Sequence, residues 1–165
     1  QAVPWDTNGI EGVKRFLDKI WSLVELGMTS EVRPADAKLE TLFNQTLKKI
    51  GEGIDDLQFN TCVSSLMILV NGFQDHGGIP TSMKKGFVAM VAPFMPHLAE
   101  ELWEKIGEKG SVHLSAWPAF DASKLVADTF ELVVQVNGKV RAKVPASSSI
   151  TEEEEQALAL SQVAQ

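Results

Sequence analysis

With 165 residues, 44% of them apolar and 22% charged, and a formal net charge of −7, the chain has the make-up of one globular domain, or of one domain and part of a second. Its acidity argues against non-specific nucleic-acid binding and confines any such contact to local basic surfaces. One cysteine, Cys62, excludes an internal disulfide or thiolate metal site and suits a reducing compartment, and the chain shows neither a bilayer-length apolar run nor, in QAVPWDTNGIEG, a secretory signal.

The first 110 residues read as helices. Val13, Phe16, Leu17, Ile20, Trp21 and Val24 recur at i, i+3, i+4, i+7, i+8 and i+11, one apolar stripe on a helix expected to end near Gly27. After the break at Pro34 a second stripe runs through Leu39, Leu42, Phe43, Leu47, Ile50 and Ile54. Asn60 is the expected cap of a third helix facing inward with Cys62, Val63, Leu66, Met67, Val70 and Phe73. QDHGGIP then reads as a loop, and Thr81 or Ser82 starts a fourth helix. Pro93 and Pro96 interrupt it, because each removes a donor and restrains the residue before it. Pro96 suits the first turn of a fifth helix burying Ala99, Leu102, Trp103 and Ile106 and ending at Gly107. Helices joined by short connections make a bundle, so the fold class is mainly α.

After Gly110 the pattern changes. SVHLSAWPAFDASKLVADT reads as a short extended stretch and loop. Leu132–Val136 and Lys139–Val144 flank Asn137-Gly138, a strong hairpin signal, and strict alternation puts Lys139, Arg141 and Lys143 on one face of the return strand. Thr151 and Glu154 stand at capping-box spacing before a last helix.

Most chemistry-bearing residues have an ordinary explanation. Gly51-Glu52-Gly53 lacks the third glycine and the preceding strand of a phosphate loop, and Ser82–Gly86 falls at a helix start. His97 reads as a capping or packing residue, and Glu100, Glu101 and Glu104 as a solvated acidic face. His76, His97 and His113 have no zinc-helix spacing. Basic groups carry more weight: Lys14, Arg15 and Lys19 lie on the polar side of the first helix, and Lys38, Lys48 and Lys49 on that of the second.

Four segments, EGVKRFLDKIW, LKKIGEGIDDLQFNTCVSSLMILVN, APFMPHLAEELWEKIG with GSVHLSAWPAFD, and LVVQVNGKVRAKV, resemble in order and spacing the C-terminal region of bacterial leucyl-tRNA synthetases, which are class Ia aminoacyl-tRNA synthetases. APFMPHLAEELW and VHLSAWP also resemble isoleucyl and valyl enzymes; RFLDKIW and VQVNGKVRAK resemble the leucyl enzyme in particular. The resemblance implies an anticodon-binding-type helical bundle over residues 1–110 and an extended linker packing on it over 111–128. It further implies an incomplete C-terminal α/β domain over 129–165, with a hairpin at 132–144 and a helix at 151–163. The parent would attach leucine to tRNA(Leu) with ATP and Mg as a cytoplasmic, monomeric enzyme away from membranes. No HIGH-like or KMSKS-like loop and no editing domain match, so the chain alone is expected to be inactive, with no catalytic residue, cofactor or metal of its own. Its expected partners are tRNA and the remainder of the synthetase chain. The side chains available for contacts to the RNA backbone are Lys14, Arg15, Lys19, Lys48, Lys49, Lys139, Arg141 and Lys143. The competing reading is a helical protein–protein interaction module with a flexible tail; its partner binding would be insensitive to salt, whereas tRNA binding would be steeply salt-dependent.

Overall fold

The structure is a computed structural model and describes residues 8–29, 32–125, 129–136 and 139–147. It divides into two compact units, Gln1–Ala122 and Ser123–Gln165. The described part of the first contains five α-helices: α1 (Asn8–Thr29), α2 (Ala37–Asp55), α3 (Phe59–His76), α4 (Thr81–Val91) and α5 (Pro96–Lys105). No helix among the described residues is long and apolar enough to cross a membrane.

The apolar stripes become the core with shifts at their margins. Phe16, Ile20, Leu23 and Val24 of α1 are buried, as are Leu39, Leu47 and Ile50 of α2 and Cys62, Leu66, Leu69, Val70 and Phe73 of α3. Val13 and Met67 lie on the expected stripes but remain 52% and 36% exposed, because both border an open cleft among α1, α3 and α5. α4 is buried on several sides through Met83, Phe87, Val88, Ala89, Met90 and Val91, the pattern of a helix surrounded by others. Phe73 and Phe87 meet edge to face with ring centroids 5.2 Å apart at the centre of the bundle.

Helix ends follow local chemistry, with two corrections. Asp36 caps α2, its carboxylate accepting the Leu39 N–H at 2.9 Å. Asn60 does not cap α3: the helix starts one residue earlier, at Phe59, and Asn60 sits in its first turn, its carbonyl accepting the Ser64 hydroxyl. QDH, expected in a loop, completes α3. The stop comes at Gly77, whose φ of +91° lets the Gly78 N–H reach back to the Phe73 carbonyl. The two prolines act as expected: α4 ends at Val91 and Pro96 opens α5, which buries Ala99, Leu102 and Trp103.

The stretch after α5 is less extended than its sequence implies. Val112–Leu114 forms a 3₁₀ turn, with Val112 buried. Glu100 holds this turn by accepting the Ser111 hydroxyl and the Val112 N–H, the latter at 3.3 Å. Glu100 is therefore half-buried and structural, unlike the solvated Glu101 and Glu104. Further along, the Asp121 N–H donates to Asn44 Oδ1 at 2.7 Å, tying the segment back to α2.

In the second unit β1 (Thr129–Val136) and β2 (Lys139–Ser147) pair antiparallel. Their register contradicts strict alternation in β2. Val136 opposes Lys139 and Gln135 opposes Val140, but Val134 opposes Ala142, which leaves Arg141 as an extra residue. Lys139 is thus registered with the row of Leu132, Val134 and Val136, whereas Lys143 is registered with Val133. A β-bulge of this kind shifts every later residue by one place, so the basic triplet does not occupy one row. The Asn137-Gly138 turn, the capping box at Thr151 and Glu154, and the helix expected at 151–163 lie outside the described residues.

Candidate nucleic-acid interface

α3 lies between α1 and α2, and a cleft opens along each side of it. On the α1 side Arg15, Lys19, Ser22 and Leu26 follow one another at i, i+4, i+7 and i+11, so they form a row along the helix. With Asp18, Leu23 and Gln74 of α3 they line a cleft of about 450 Å³. On the other side Leu42, Gln45, Thr46 and Lys49 of α2 face Ser65 and Ile68 of α3 across a cleft of about 230 Å³. Three of the expected basic residues, Arg15, Lys19 and Lys49, therefore flank the same helix.

Lys14 and Lys48 do not. Each is adjacent in sequence to a cleft residue and so turned about 100° from it around the helix axis, and neither lines a cleft described here. Lys48 instead approaches Glu52 at 3.8 Å. Lys38 belongs with Lys49: residues 38, 42, 45 and 49 repeat the i, i+4, i+7, i+11 spacing. Lys38 lines a further cleft of about 210 Å³ with Arg33, Asp36, Leu39, Leu42, Gly72, Asp75 and His76. That spacing was present in the sequence, but only the neighbouring α3 shows that this row, and not that of Lys48, borders a cleft. The side chains of Lys139, Arg141 and Lys143 lie outside the described residues.

Three lysines elsewhere on the bundle are engaged. Lys85 meets Glu108 at 2.8 Å and lies over the Trp103 ring; Lys105 meets Glu25 at 3.1 Å and lies over Trp21; Lys84 donates to the Gly27 carbonyl at 2.6 Å. By contrast, among the described residues Arg15, Lys19, Lys38 and Lys49 have no carboxylate within 4.0 Å. Arg15 makes only a long 3.4 Å contact to the Glu11 carbonyl. These exposed cations are free to meet an external anion without first breaking an ion pair.

A buried polar group sits at the end of the α2–α3 cleft. His76 Nε2 lies 3.2 Å from the Arg33 carbonyl oxygen, and Nδ1 lies 3.6 Å from Asp36 Oδ2. The Leu39 N–H, followed by the charges of His76 and Arg33, holds the Asp36 carboxyl below the usual carboxylate range. This cluster fastens the segment before α2 to the end of α3.

Among the remaining candidates Gly53 and Gly86 pack helices together, whereas His97, expected to cap or pack, does neither as a buried or hydrogen-bonded group: α5 has no side-chain cap. Gly51 and Gly53 lie within α2, where a Cβ on Gly53 would come 2.5 Å from Cys62 Sγ; Gly53 is there for close helix packing. Ser82–Gly86 lies in α4, with Gly86 packed against the Phe43 ring. His97 is exposed in the first turn of α5, at the edge of the apolar cleft that Val13 and Met67 also line. Among the described residues no group of three His, Cys, Asp or Glu side chains could hold a metal ion.

Residues 82–156 match the family model described as the anticodon-binding domain of tRNA ligase. The fold is shared with Agrobacterium radiobacter K84 agnB2 LeuRS, a structure of a ternary complex with tRNA and LeuAMS. That similarity has a TM-score of 0.74 at 22% sequence identity and covers 96% of this chain but 22% of the synthetase chain. The chain thus spans about a fifth of the length of the protein whose fold it shares.

Proposed function

We propose that this chain is the tRNA-binding C-terminal part of a leucyl-tRNA synthetase, an enzyme that joins leucine to tRNA(Leu) at the expense of ATP with Mg. The observation that carries the reading is the coincidence of two independent features: a synthetase fold over nearly the whole chain, and unpaired cations lining the clefts beside α3. Lysine and arginine side chains of this kind hold phosphates and fix register without reading base sequence. The bundle would therefore position tRNA, while activation and editing reside in parts of the enzyme outside this sequence. Residues 129–165 would begin the small C-terminal α/β domain, and the parent would work as a cytoplasmic monomer.

Fluorescence anisotropy with a leucine tRNA transcript tests the reading. Binding is expected to be weak and to fall steeply as salt rises, because each phosphate contact releases condensed counterions. In the same preparation leucine-dependent ATP–pyrophosphate exchange should stay at background. Binding that ignores salt and RNA alike, with exchange at background, would favour the protein-interaction module. One observation supports that second reading: the cleft of about 610 Å³ lined by Val13, Leu17, Val63, Met67, Phe94 and Leu98 is almost wholly apolar.

A further inference from the structure

Exposed apolar side chains gather at the end of the bundle where α1, α3 and α5 begin. Val13 and Met67 open onto the cleft of about 610 Å³, whose walls also include Leu17, Val63, Phe94 and Leu98. Beside the cleft stands a projection. Leu57, in the link between α2 and α3, is 74% exposed, and Phe59, the first residue of α3, is 48% exposed. The Phe59 ring meets Phe94 edge-on with centroids 6.2 Å apart, so Phe94 belongs to the projection and to the cleft wall alike. Among the described residues Leu57 alone of the non-glycines has a positive φ, +57°. Its N–H reaches the Ile54 carbonyl and the Gln58 N–H reaches the Gly53 carbonyl at 2.7 Å, a helix ending in which glycine ordinarily takes the left-handed place. A leucine there costs stability that glycine would not, and its exposed side chain recovers little of that within the chain.

We propose that this end of the bundle pairs two copies of the chain about a two-fold axis, with Leu57 and Phe59 of each copy filling the apolar cleft of the other. Projection and cleft share Phe94 and so lie side by side. An axis passing near Phe94 lets each copy give and receive the same contact, the self-complementary arrangement of a two-fold interface. Charge matches as well as shape. Asp55 and Asp56, just before Leu57, are exposed and, among the described residues, have no basic group within 4.0 Å. Lys14 is likewise exposed and has no carboxylate within 4.0 Å. It stands about 60° around α1 from Leu17, at the edge of the cleft wall that Val13 and Leu17 form. The two acids of one copy would meet Lys14 of the other at both equivalent contacts, while Glu101, one turn beyond His97 on α5, works against them. Phosphates would be repelled by the same acids, so RNA is not the occupant. The inference does not rest on the tRNA-binding reading, whose cations Arg15, Lys19, Lys38 and Lys49 line other clefts.

Sedimentation velocity of the 165-residue chain over a concentration series tests this, and far-UV circular dichroism establishes that each variant is folded. The chain should run as a monomer–dimer mixture whose dimer fraction rises with concentration and falls as salt screens the charges. Leu57→Asp and Met67→Asp should each raise the dissociation constant about tenfold or more. Ile68→Asp, which alters another exposed apolar residue of α3, should leave it unchanged. Leu57→Gly should raise the urea midpoint of the monomer yet weaken the dimer, because it relieves the left-handed strain and removes the projection. Lys14→Glu and the double variant Asp55→Lys/Asp56→Lys should each dimerise poorly alone and pair with one another when mixed, since both contacts then regain opposite signs. A chain that stays monomeric at every concentration would overturn the proposal. So would a dimer undiminished by Leu57→Asp and Met67→Asp, or a Leu57→Gly variant that dimerises as well as the unaltered chain. Failure of the two charge-reversed variants to pair would rule out the mutual docking of projection and cleft.

Discussion

Gly53 offers a sharp test of how α2 and α3 meet beneath the Lys49 cleft. Replacing glycine by alanine inside a helix ordinarily stabilises it, by about 1 kcal/mol. Here the new methyl would sit 2.5 Å from the sulfur of Cys62, a fully buried residue whose thiol faces the Ile50 carbonyl. Forcing an extra carbon into so tight a contact costs roughly 1–3 kcal/mol, so the two effects oppose and Gly53→Ala alone should be neutral to about 2 kcal/mol destabilising. Cys62→Ala removes the obstructing atom. In that background Gly53→Ala should stabilise, by up to about 1 kcal/mol, and the reversal of sign is the diagnostic. Urea unfolding followed by tryptophan fluorescence is the assay, since Trp21, Trp103 and Trp117 lie in the described part of the first unit. The reasoning is refuted if Gly53→Ala stabilises the protein equally with and without the cysteine. The helices would then be further apart than described, and the cleft that Lys49 shares with Ser65 and Ile68 would have another shape.

Trp103 is 3% exposed and Trp21 only half-buried under Lys105, so Trp103→Ala should cost about 3–5 kcal/mol and Trp21→Ala distinctly less, read as the order of their melting temperatures. Glu100 should contribute to acid stability. The Ser111 hydroxyl, then the Val112 N–H, holds its carboxyl below the ordinary value of 4.5; the stabilisation is present above that value and is lost as pH falls through the lower, folded pKa. Glu100→Gln should therefore be less stable near neutrality and should show a weaker pH dependence below about 4.5, measured by urea unfolding at stepped pH. Cys62 is buried and its thiol is pushed up by that burial, so an alkylating reagent should label it slowly in the native protein and quickly in urea, as mass spectrometry would record.

Features that rest on near neighbours in the chain were legible in the sequence. The apolar stripes of α1, α2 and α3, the break at Pro93 and Pro96, and the first-turn place of Pro96 all come from helical periodicity and from the geometry of proline. Periodicity names the inward face of a helix but not how far its neighbours cover that face; Val13 and Met67 fit their stripes and yet border an open cleft. Glu100 looked solvated because its partner, Ser111, is brought to it only by the chain turning back after α5. The bulge at Arg141 depends on which residues of β1 the strand pairs with, which alternation within one strand cannot reveal. The same limit applies to the cations. Composition could place Lys38, Lys48 and Lys49 on the polar side of α2, and only α3, packed against one edge of that side, separates the lysines that border the clefts from the one that turns to Glu52.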